Sequence, residues 1–167
     1  YITAYLWQNV LQKDALLDII QRFMNLEVKI EKNSSGKQVE KKTLIFPRYH
    51  QLDVVKKLVE DTQQNGSGNH YLIQHSAGSG KTNTIAWLAH SLVSLHDDQN
   101  RNIVDTVLIV TDRIVVDRQL QDAVRQINHK NGVVKVMGDR ETSSDLADAI
   151  AGNTKIIATT IHKFAQI

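Results

Sequence analysis

Residues 71–82 read YLIQHSAGSGKT: a short apolar run, a loop with two glycines, and the first residues of a helical pattern. The apolar run predicts a buried strand over 71–74, and the apolar spacing after the loop predicts a helix over 81–95. A strand, a glycine-containing loop and a helix in this order are the context of a phosphate-binding loop. Gly78 and Gly80 allow torsions and a close approach that a side chain would forbid, so consecutive amides can point at phosphate oxygens. The stretch therefore predicts a phosphate site at a helix N-terminus.

Lys81 and Thr82 carry the chemistry predicted for this loop. Lys81 would reach the β and γ phosphates of a nucleotide as the catalytic residue, and the Thr82 hydroxyl would bind magnesium. The general pattern GxxxxGK[ST] begins with glycine, and His75 stands there instead; we interpret it as a loop histidine. Gly-Lys-Thr alone also fits an unrelated loop, and the flanking strand and helix favour the phosphate interpretation. The predicted nucleotide-binding residues of the loop are Ala77, Gly78, Ser79, Gly80, Lys81 and Thr82.

Beyond the loop, the pattern alternates between strands and helices. Continuous apolar runs predict strands, and the stretches between them predict helices, one of which has a capping box at Thr142 and Asp145. Buried strands separated by helices are typical of an α/β fold with a mostly parallel, doubly wound sheet. The predicted strands cover 107–110, 133–137 and 155–160, and the predicted helices cover 115–127 and 142–151.

The residues before the loop predict a different organisation. Apolar residues spaced by three and four predict an amphipathic helix over 9–24. The polar, lysine-rich stretch EKNSSGKQVEKK at 31–42 predicts an exposed connector and a boundary. A short apolar run at 43–46 is closed by Pro47, and a second helix follows and ends in the loop 63–69. The expected organisation is a helical segment over 1–30, a connector over 31–42 and part of a nucleotide-binding lobe over 43–167.

A second polar cluster, FPRYHQ at 46–51, precedes the loop. A glutamine amide both donates to and accepts from the N6/N7 edge of adenine, so Gln51 offers a way to prefer ATP over other triphosphates. Arg48 lies in the same cluster and is predicted to bind nucleotide with it. The alternative is an ordinary helix start with an exposed glutamine.

Two predicted strand ends carry hydroxyl and charged side chains. At the first, Thr111 and Arg113 could hold a nucleic-acid backbone. Asp112 could instead be a magnesium-binding carboxylate, but no glutamate follows it, and an ordinary solvated turn is the third interpretation. At the second strand end, Thr159 and Thr160 could cap the following helix or donate to phosphates, and spacing does not separate these alternatives.

The composition excludes several classes of protein. The chain has 167 residues and no cysteine, which excludes disulfide frameworks, cysteine-ligated metals and cysteine nucleophiles. No apolar run reaches the roughly 18 residues of a membrane-spanning helix, so no membrane passage is expected. The formal net charge of +2 at pH 7 is compatible with a nucleic-acid partner without requiring one.

These motifs together resemble the first motor lobe of superfamily 2 helicase-like proteins. The match is closest to the restriction subunit of type I restriction–modification enzymes. The motif QHSAGSGK resembles that family's own loop sequence, which has a histidine at the position of His75. The resemblance covers roughly residues 5–167. It rests on FPRYHQLDVVKKLV at 46–59, YLIQHSAGSGKTNTIAWLAH at 71–90, TDRIVVDRQLQD at 111–122 and IIATTIHKF at 156–164.

The resemblance implies a RecA-like lobe in a cytoplasmic bacterial or archaeal enzyme that uses ATP and Mg²⁺. Such an enzyme pumps double-stranded DNA past itself and cuts it far from the recognition site, with methyltransferase and specificity subunits as partners. It also implies individual roles: adenine for Gln51, phosphates for Gly78, Gly80 and Lys81, magnesium for Thr82, and DNA backbone for Thr111, Arg113, Thr159 and Thr160.

The resemblance also implies that part of the machinery lies outside these residues. The DExx carboxylates and the arginine finger of the family are expected beyond Ile167, and the nuclease residues before Tyr1. The 167 residues alone are therefore expected to have negligible ATPase activity. Two alternatives remain: another superfamily 2 enzyme, such as a repair or remodelling helicase, and a regulatory module that binds ATP without turnover.

Overall fold

The computed structural model describes residues 3–32, 36–112, 114–127, 133–138 and 141–166. The chain divides into two compact units, Tyr1–Tyr49 and His50–Ile167. Within the described ranges, no helix is both long enough and apolar enough to cross a membrane. The predicted phosphate loop and both predicted strand ends belong to the second unit.

Helical turns open the first unit. A π-helical turn over Leu6–Val10 precedes helix α1 (Lys13–Asp18), and a second π-helical turn covers Ile19–Phe23. The predicted helix over 9–24 is therefore present but interrupted, because Gln12 has extended backbone with φ −61° and ψ 141°. Ile19 and Phe23 are buried, as the four-residue spacing of one helix face requires.

An antiparallel ribbon follows the helical turns. Strands β1 (Asn25–Lys32) and β2 (Gln38–Ile45) pair with Asn25 opposite Ile45 and Lys32 opposite Gln38. This differs from the connector expected over 31–42: the described residues of that stretch are exposed, but all of them except Gly36 and Lys37 belong to paired strands. The signal was the alternation of Leu26, Val28 and Ile30 with charged residues, which has the period of a strand. The division between the units also lies later than expected, after Tyr49.

The second unit follows the predicted alternation of helices and strands. Helix α2 (Tyr49–Asn65) begins inside the predicted cluster at 46–51, and helix α3 (Lys81–Leu92) begins at the end of the loop. The remaining elements also agree with the predictions to within a few residues. They are β3 (Val107–Thr111), α4 (Ile114–Ile127), β4 (Val134–Val136), α5 (Ser143–Ala151) and β5 (Ile156–Thr160). A 3₁₀ turn over Ile161–Gln166, for which no bounds were predicted, follows β5.

Strands β3, β5 and β4 form a parallel sheet in that order, with β5 in the centre. Every residue of β5 is buried. Ile156 and Ala158 belong to a core cluster with residues of α3 and α4, whereas Ile157 packs with Leu146 and Ala149 of α5. Because successive strand residues point to opposite faces, these clusters place helices on both faces of the sheet. The predicted α/β class with a parallel sheet is confirmed, and the doubly wound order of a complete lobe stays a prediction.

The strand predicted over 71–74 is not formed. These residues lie outside every strand of the described residues, and all four are exposed, with Leu72 97% exposed. A strand exists only where a neighbour supplies hydrogen-bond partners. The apolar run Tyr71-Leu72-Ile73 has the composition of a buried strand, but no described strand pairs with it.

The predicted capping box at the start of α5 is confirmed. The Thr142 hydroxyl accepts a hydrogen bond from the Asp145 amide, and an Asp145 carboxylate oxygen accepts one from the Thr142 amide at 2.7 Å. These bonds hold the pKa of Asp145 below its usual value, because the backbone donor favours the ionised carboxylate. Two of the amides that a helix start leaves without intrahelical partners are thereby satisfied.

Candidate phosphate-binding site

Two glycines shape the loop that leads into α3. Gly78 and Gly80 have φ of +72° and +84°, in the left-handed region that other residues adopt at a cost. The Ser79 amide donates to Ser76 O at 3.3 Å and closes a turn between them. Gly80 is the N-cap residue of α3, so the loop ends where the amides and the dipole of a twelve-residue helix create a positive pole.

The Lys81 side chain folds back over the loop. Its Nζ donates to the carbonyl oxygens of His75 at 3.1 Å and Ser76 at 2.8 Å. The side chain is exposed. The ammonium group therefore lies against the loop. Because its hydrogen bonds are exposed, an anion could replace the two carbonyl oxygens as their acceptor.

Gln51 lies at the start of α2 and contacts the end of the loop. Only 3% of this residue is exposed, and its Nε2 donates to Gly80 O at 2.9 Å. The alternative of an exposed glutamine at a helix start is therefore wrong. The predicted contact of Gln51 with adenine stays a prediction.

The remaining loop residues present further polar groups. The Ser79 hydroxyl is buried and has no hydrogen-bond partner among the described residues. Thr82 is half-buried in the first turn of α3, and Ala77 is exposed. A buried hydroxyl costs free energy unless it finds a partner. The Ser79 hydroxyl, the Lys81 ammonium and the α3 N-terminus together fit a phosphate group.

A cluster of hydrogen bonds to the Asp61 carboxylate, which was not predicted from the sequence, holds the segment leading into the loop. The Asp61 carboxylate, near the end of α2, accepts hydrogen bonds from the side-chain amides of Asn65 and Asn69, each at 2.9 Å, and from the Tyr71 hydroxyl. These donors, Tyr71 foremost, hold the pKa of Asp61 below its usual value, and the bond to Asp61 raises the pKa of Tyr71. Asp61 and Asn65 lie four residues apart on α2, but Asn69 and Tyr71 lie beyond the end of the helix, so only the folded chain shows their contact with Asp61.

Three of the four predicted nucleic-acid residues, Thr111, Thr159 and Thr160, lie at the carboxyl ends of neighbouring strands. Thr111 ends β3 and Thr160 ends β5, and the two are register partners. The hydroxyls of Thr111 and Thr159 are buried without a hydrogen-bond partner in the described part of the chain. Thr159 has no exposed surface and Thr160 is also buried. Parallel pairing thus brings the three threonines together, and their contact with DNA stays a prediction.

Arg113, expected on the DNA backbone, lies outside the described residues. Arg48 is exposed in the first unit. Their predicted roles stay predictions.

Side chains suited to a metal ion do not cluster in the described ranges. No three or more His, Asp or Glu side chains there form a group that could hold a metal ion. The prediction of Thr82 as a magnesium ligand, and the alternative of Asp112 as a magnesium-binding carboxylate, stay predictions.

Comparison with known proteins gives a family and relatives for this chain. A family model described as SWI2/SNF2 ATPase matches residues 50–167, which is the second unit. The MjaVIIIP endonuclease subunit of a type I restriction enzyme from Methanocaldococcus jannaschii, a putative assignment in its name, is 30% identical over 156 residues. The HindI endonuclease subunit of a type I restriction enzyme from Haemophilus influenzae is 27% identical over 162 residues.

The matched residues make up 86% and 96% of this chain and 14% of each relative. Both relatives are named as endonuclease subunits of type I restriction enzymes, so the resemblance drawn from the sequence motifs is confirmed. The family model covers the phosphate loop, the sheet and all described helices that pack on it. This chain therefore belongs to the SWI2/SNF2 ATPase family.

Proposed function

We propose that this chain is part of the ATP-driven motor of a type I restriction endonuclease subunit. The observation that carries the proposal is the loop 75–82, which contains Lys81 and a buried Ser79 hydroxyl and leads into the N-terminus of α3. The ATPase family and the two relatives support ATP use by a restriction subunit. In the complete enzyme, ATP hydrolysis drives movement of double-stranded DNA, and cleavage follows far from the recognition site.

Each predicted residue has a place in this proposal. Lys81 neutralises the β and γ phosphates, Thr82 holds Mg²⁺, and amides of the loop from Ala77 onward bind phosphate oxygens. Gln51 and Arg48 contact the nucleotide from the start of α2 and the residue before it. Thr111, Arg113, Thr159 and Thr160 hold the DNA backbone at the carboxyl edge of the sheet.

The motor works in the bacterial or archaeal cytoplasm with methyltransferase and specificity subunits. Residues 1–167 have negligible ATPase activity by themselves, because the carboxylates that activate water and the arginine finger are supplied by other parts of the polypeptide. An arginine finger contributes about 10³ to 10⁵ to the rate in related phosphoryl-transfer enzymes.

Triplex displacement on linear DNA tests this function. The complete polypeptide, with its methyltransferase and specificity subunits, is mixed with ATP, Mg²⁺ and DNA carrying the recognition site. We expect displacement that starts at the site and is abolished by Lys81→Ala, since the variant loses the charge that meets the phosphates. Lys57→Ala is the matched control, because Lys57 is an exposed lysine whose salt bridge is to Asp53 on α2.

The other results identify the alternatives. ATP hydrolysis without displacement would indicate a superfamily 2 enzyme that does not translocate. Nucleotide binding without turnover would indicate a regulatory module. Turnover that survives Lys81→Ala would mean that the loop does not hold the reacting phosphates.

A further inference from the structure

Two histidines, His50 beside the phosphate loop and His75 at its start, have no part in the proposed ATP reaction. His50 lies in the first turn of α2, and its Nε2 is 3.0 Å from Ser79 O. Its ring meets the ring of His75 edge to face, with 4.9 Å between the centroids and 86° between the planes. Edge-to-face pairing is a favoured arrangement of aromatic rings. The His75 ring therefore supports the His50 ring in the orientation that reaches the loop.

The bond between His50 and Ser79 has a fixed direction. A carbonyl oxygen only accepts hydrogen bonds, so His50 Nε2 carries a hydrogen and donates it. The next residue, Gln51, donates to Gly80 O at 2.9 Å. The first turn of α2 thus binds two consecutive carbonyl groups of the phosphate loop.

Holding these carbonyls also orients the amides that follow them. In a planar trans peptide, the C=O of one residue and the N–H of the next point in opposite directions. No cis peptide bond is present in the described residues. Because the Ser79 carbonyl points towards His50, the Gly80 N–H points away from α2. Because the Gly80 carbonyl points towards Gln51, the Lys81 N–H also points away from α2. These are amides of the kind that a phosphate loop offers to phosphate oxygens.

The two donors differ in how much else holds their carbonyl in place. Gly80 O also accepts the Thr84 amide at 3.2 Å and the Thr84 hydroxyl at 3.3 Å, so the start of α3 fixes it independently of Gln51. Ser79 precedes the helix, and no helical amide of the described chain bonds to its carbonyl. Losing the His50 bond should therefore disturb the Ser79–Gly80 peptide more than losing the Gln51 bond disturbs the Gly80–Lys81 peptide.

We propose that His50, braced by the His75 ring, is a positioning residue that presets the Gly80 amide of the phosphate loop for nucleotide binding. The proposal rests on the proposed function of the loop. It also gives His75 a role: a glycine at that position would leave the His50 ring without its edge-to-face partner.

Nucleotide affinity in the complete polypeptide tests the proposal, with the fluorescent probe N-methylanthraniloyl-ADP and Mg²⁺. His50→Leu removes the donor, and we expect the affinity to fall about three- to tenfold, the effect of one lost hydrogen bond. His50→Gln places an amide donor near the position of Nε2 and should restore the affinity to within about twofold. His50→Asn is polar but one methylene shorter than His50→Gln and should behave as His50→Leu does.

His96→Ala is the matched control. His96 also contacts a backbone carbonyl, Ser94 O at 3.0 Å, but in the exposed turn after α3, so its loss should leave probe affinity unchanged. If His50→Leu does not fold, the comparison of His50→Asn with His50→Gln decides, because both keep a polar side chain at a helix start.

The possible results separate this proposal from the function on which it rests. Equal probe affinity for the wild type, His50→Asn and His50→Gln would overturn the positioning role, as would a weakening of the same size in His50→Gln and His50→Asn. If Lys81→Ala abolishes ATP turnover in the same preparation, the proposed function stands even then. Turnover that survives Lys81→Ala overturns both.

Discussion

At the residue scale, the close contact between Gly80 and Gln51 limits what the phosphate loop tolerates. A Cβ built on Gly80 would lie 2.4 Å from Gln51 Nε2, well inside van der Waals contact. Gln51 is a flexible side chain, but it is buried and bonded to Gly80 O. To make room for a methyl group, Gln51 must give up that bond.

We predict that Gly80→Ala is more destabilising than Gly66→Ala, the matched control. Gly66 has a similar φ of +77°, but a Cβ there would meet nothing within 4 Å. The control should therefore cost about 1–2 kcal/mol, the penalty of the left-handed backbone alone. Gly80→Ala should cost about 0.5–1.5 kcal/mol more, for the lost hydrogen bond. Urea unfolding measures both free energies, and equal costs would show that the Gln51 contact contributes nothing.

At the element scale, His90 joins the helix that follows the phosphate loop to the next helix. Its Nε2 donates to Val124 O at 2.8 Å, from α3 to α4, and the ring is half-buried. Burial lowers the pKa of His90 below its ordinary value of 6.5, against the opposing effect of the Val124 carbonyl. The folded chain therefore favours the neutral imidazole.

We predict that this histidine makes the fold less stable in mild acid. Because the pKa of His90 is lower in the folded chain, the unfolded chain binds a proton first as the pH falls below 6.5. The contribution of His90 to stability is complete above that pH and is lost as the pH falls through its folded pKa. His90→Gln keeps a donor for Val124 O without this titration, so its unfolding midpoint in urea should fall less between about pH 7.5 and pH 5.

His96→Gln is the control for this experiment, since His96 is exposed in the turn after α3. The described carboxylates with shifted pKa values do not interfere: the pKa values of Asp61, Asp97 and Asp145 are all shifted downward from 3.8, below this pH range. If the wild type and His90→Gln had parallel profiles, burial of His90 would have no consequence for stability.

At the scale of the whole molecule, the sheet of the second unit and the ribbon of the first unit differ in how far they bury their apolar residues. In the second unit, β5 is buried throughout, and Ile157 has no exposed surface. In the first unit, the apolar residues of the ribbon other than Ile45 remain exposed, and Ile30 is 67% exposed. Stability should therefore be concentrated in the second unit, around the sheet that positions the phosphate loop and the threonine edge.

We predict that Ile157→Ala lowers the free energy of unfolding of the second unit by about 2–5 kcal/mol, the usual cost of a cavity in a core. Ile30→Ala makes the same chemical change at an exposed position and should leave that unit unchanged to within about 0.5 kcal/mol. Trp87, which is buried in the second unit, reports its unfolding by fluorescence in a Trp7→Phe background. An equal effect of the two substitutions would mean that the ribbon also supports the sheet.

Neighbouring residues encode most of the local structure of the second unit and the composition of its candidate site. Helix starts, the capping box at Thr142 and the buried strands are encoded by neighbouring residues, and the glycines and Lys81 indicate a phosphate loop by their order alone. Periodicity and capping act over one or two turns, so one sequence displays them in full. The strand pattern of the ribbon over 25–45 is also local, since its apolar residues alternate with charged ones. The lysines and serines of the same stretch led instead to the prediction of a connector.

The tertiary structure establishes which elements become partners. It paired Thr111 with Thr160, brought the start of α2 to the loop through His50 and Gln51, and joined Asp61 to Tyr71. It also left 71–74 without a strand neighbour among the described residues, although its composition is that of a buried strand. These outcomes depend on residues far apart in the chain meeting in one geometry, and hydrogen bonding across strands or between a helix and a loop leaves no periodic mark in the sequence.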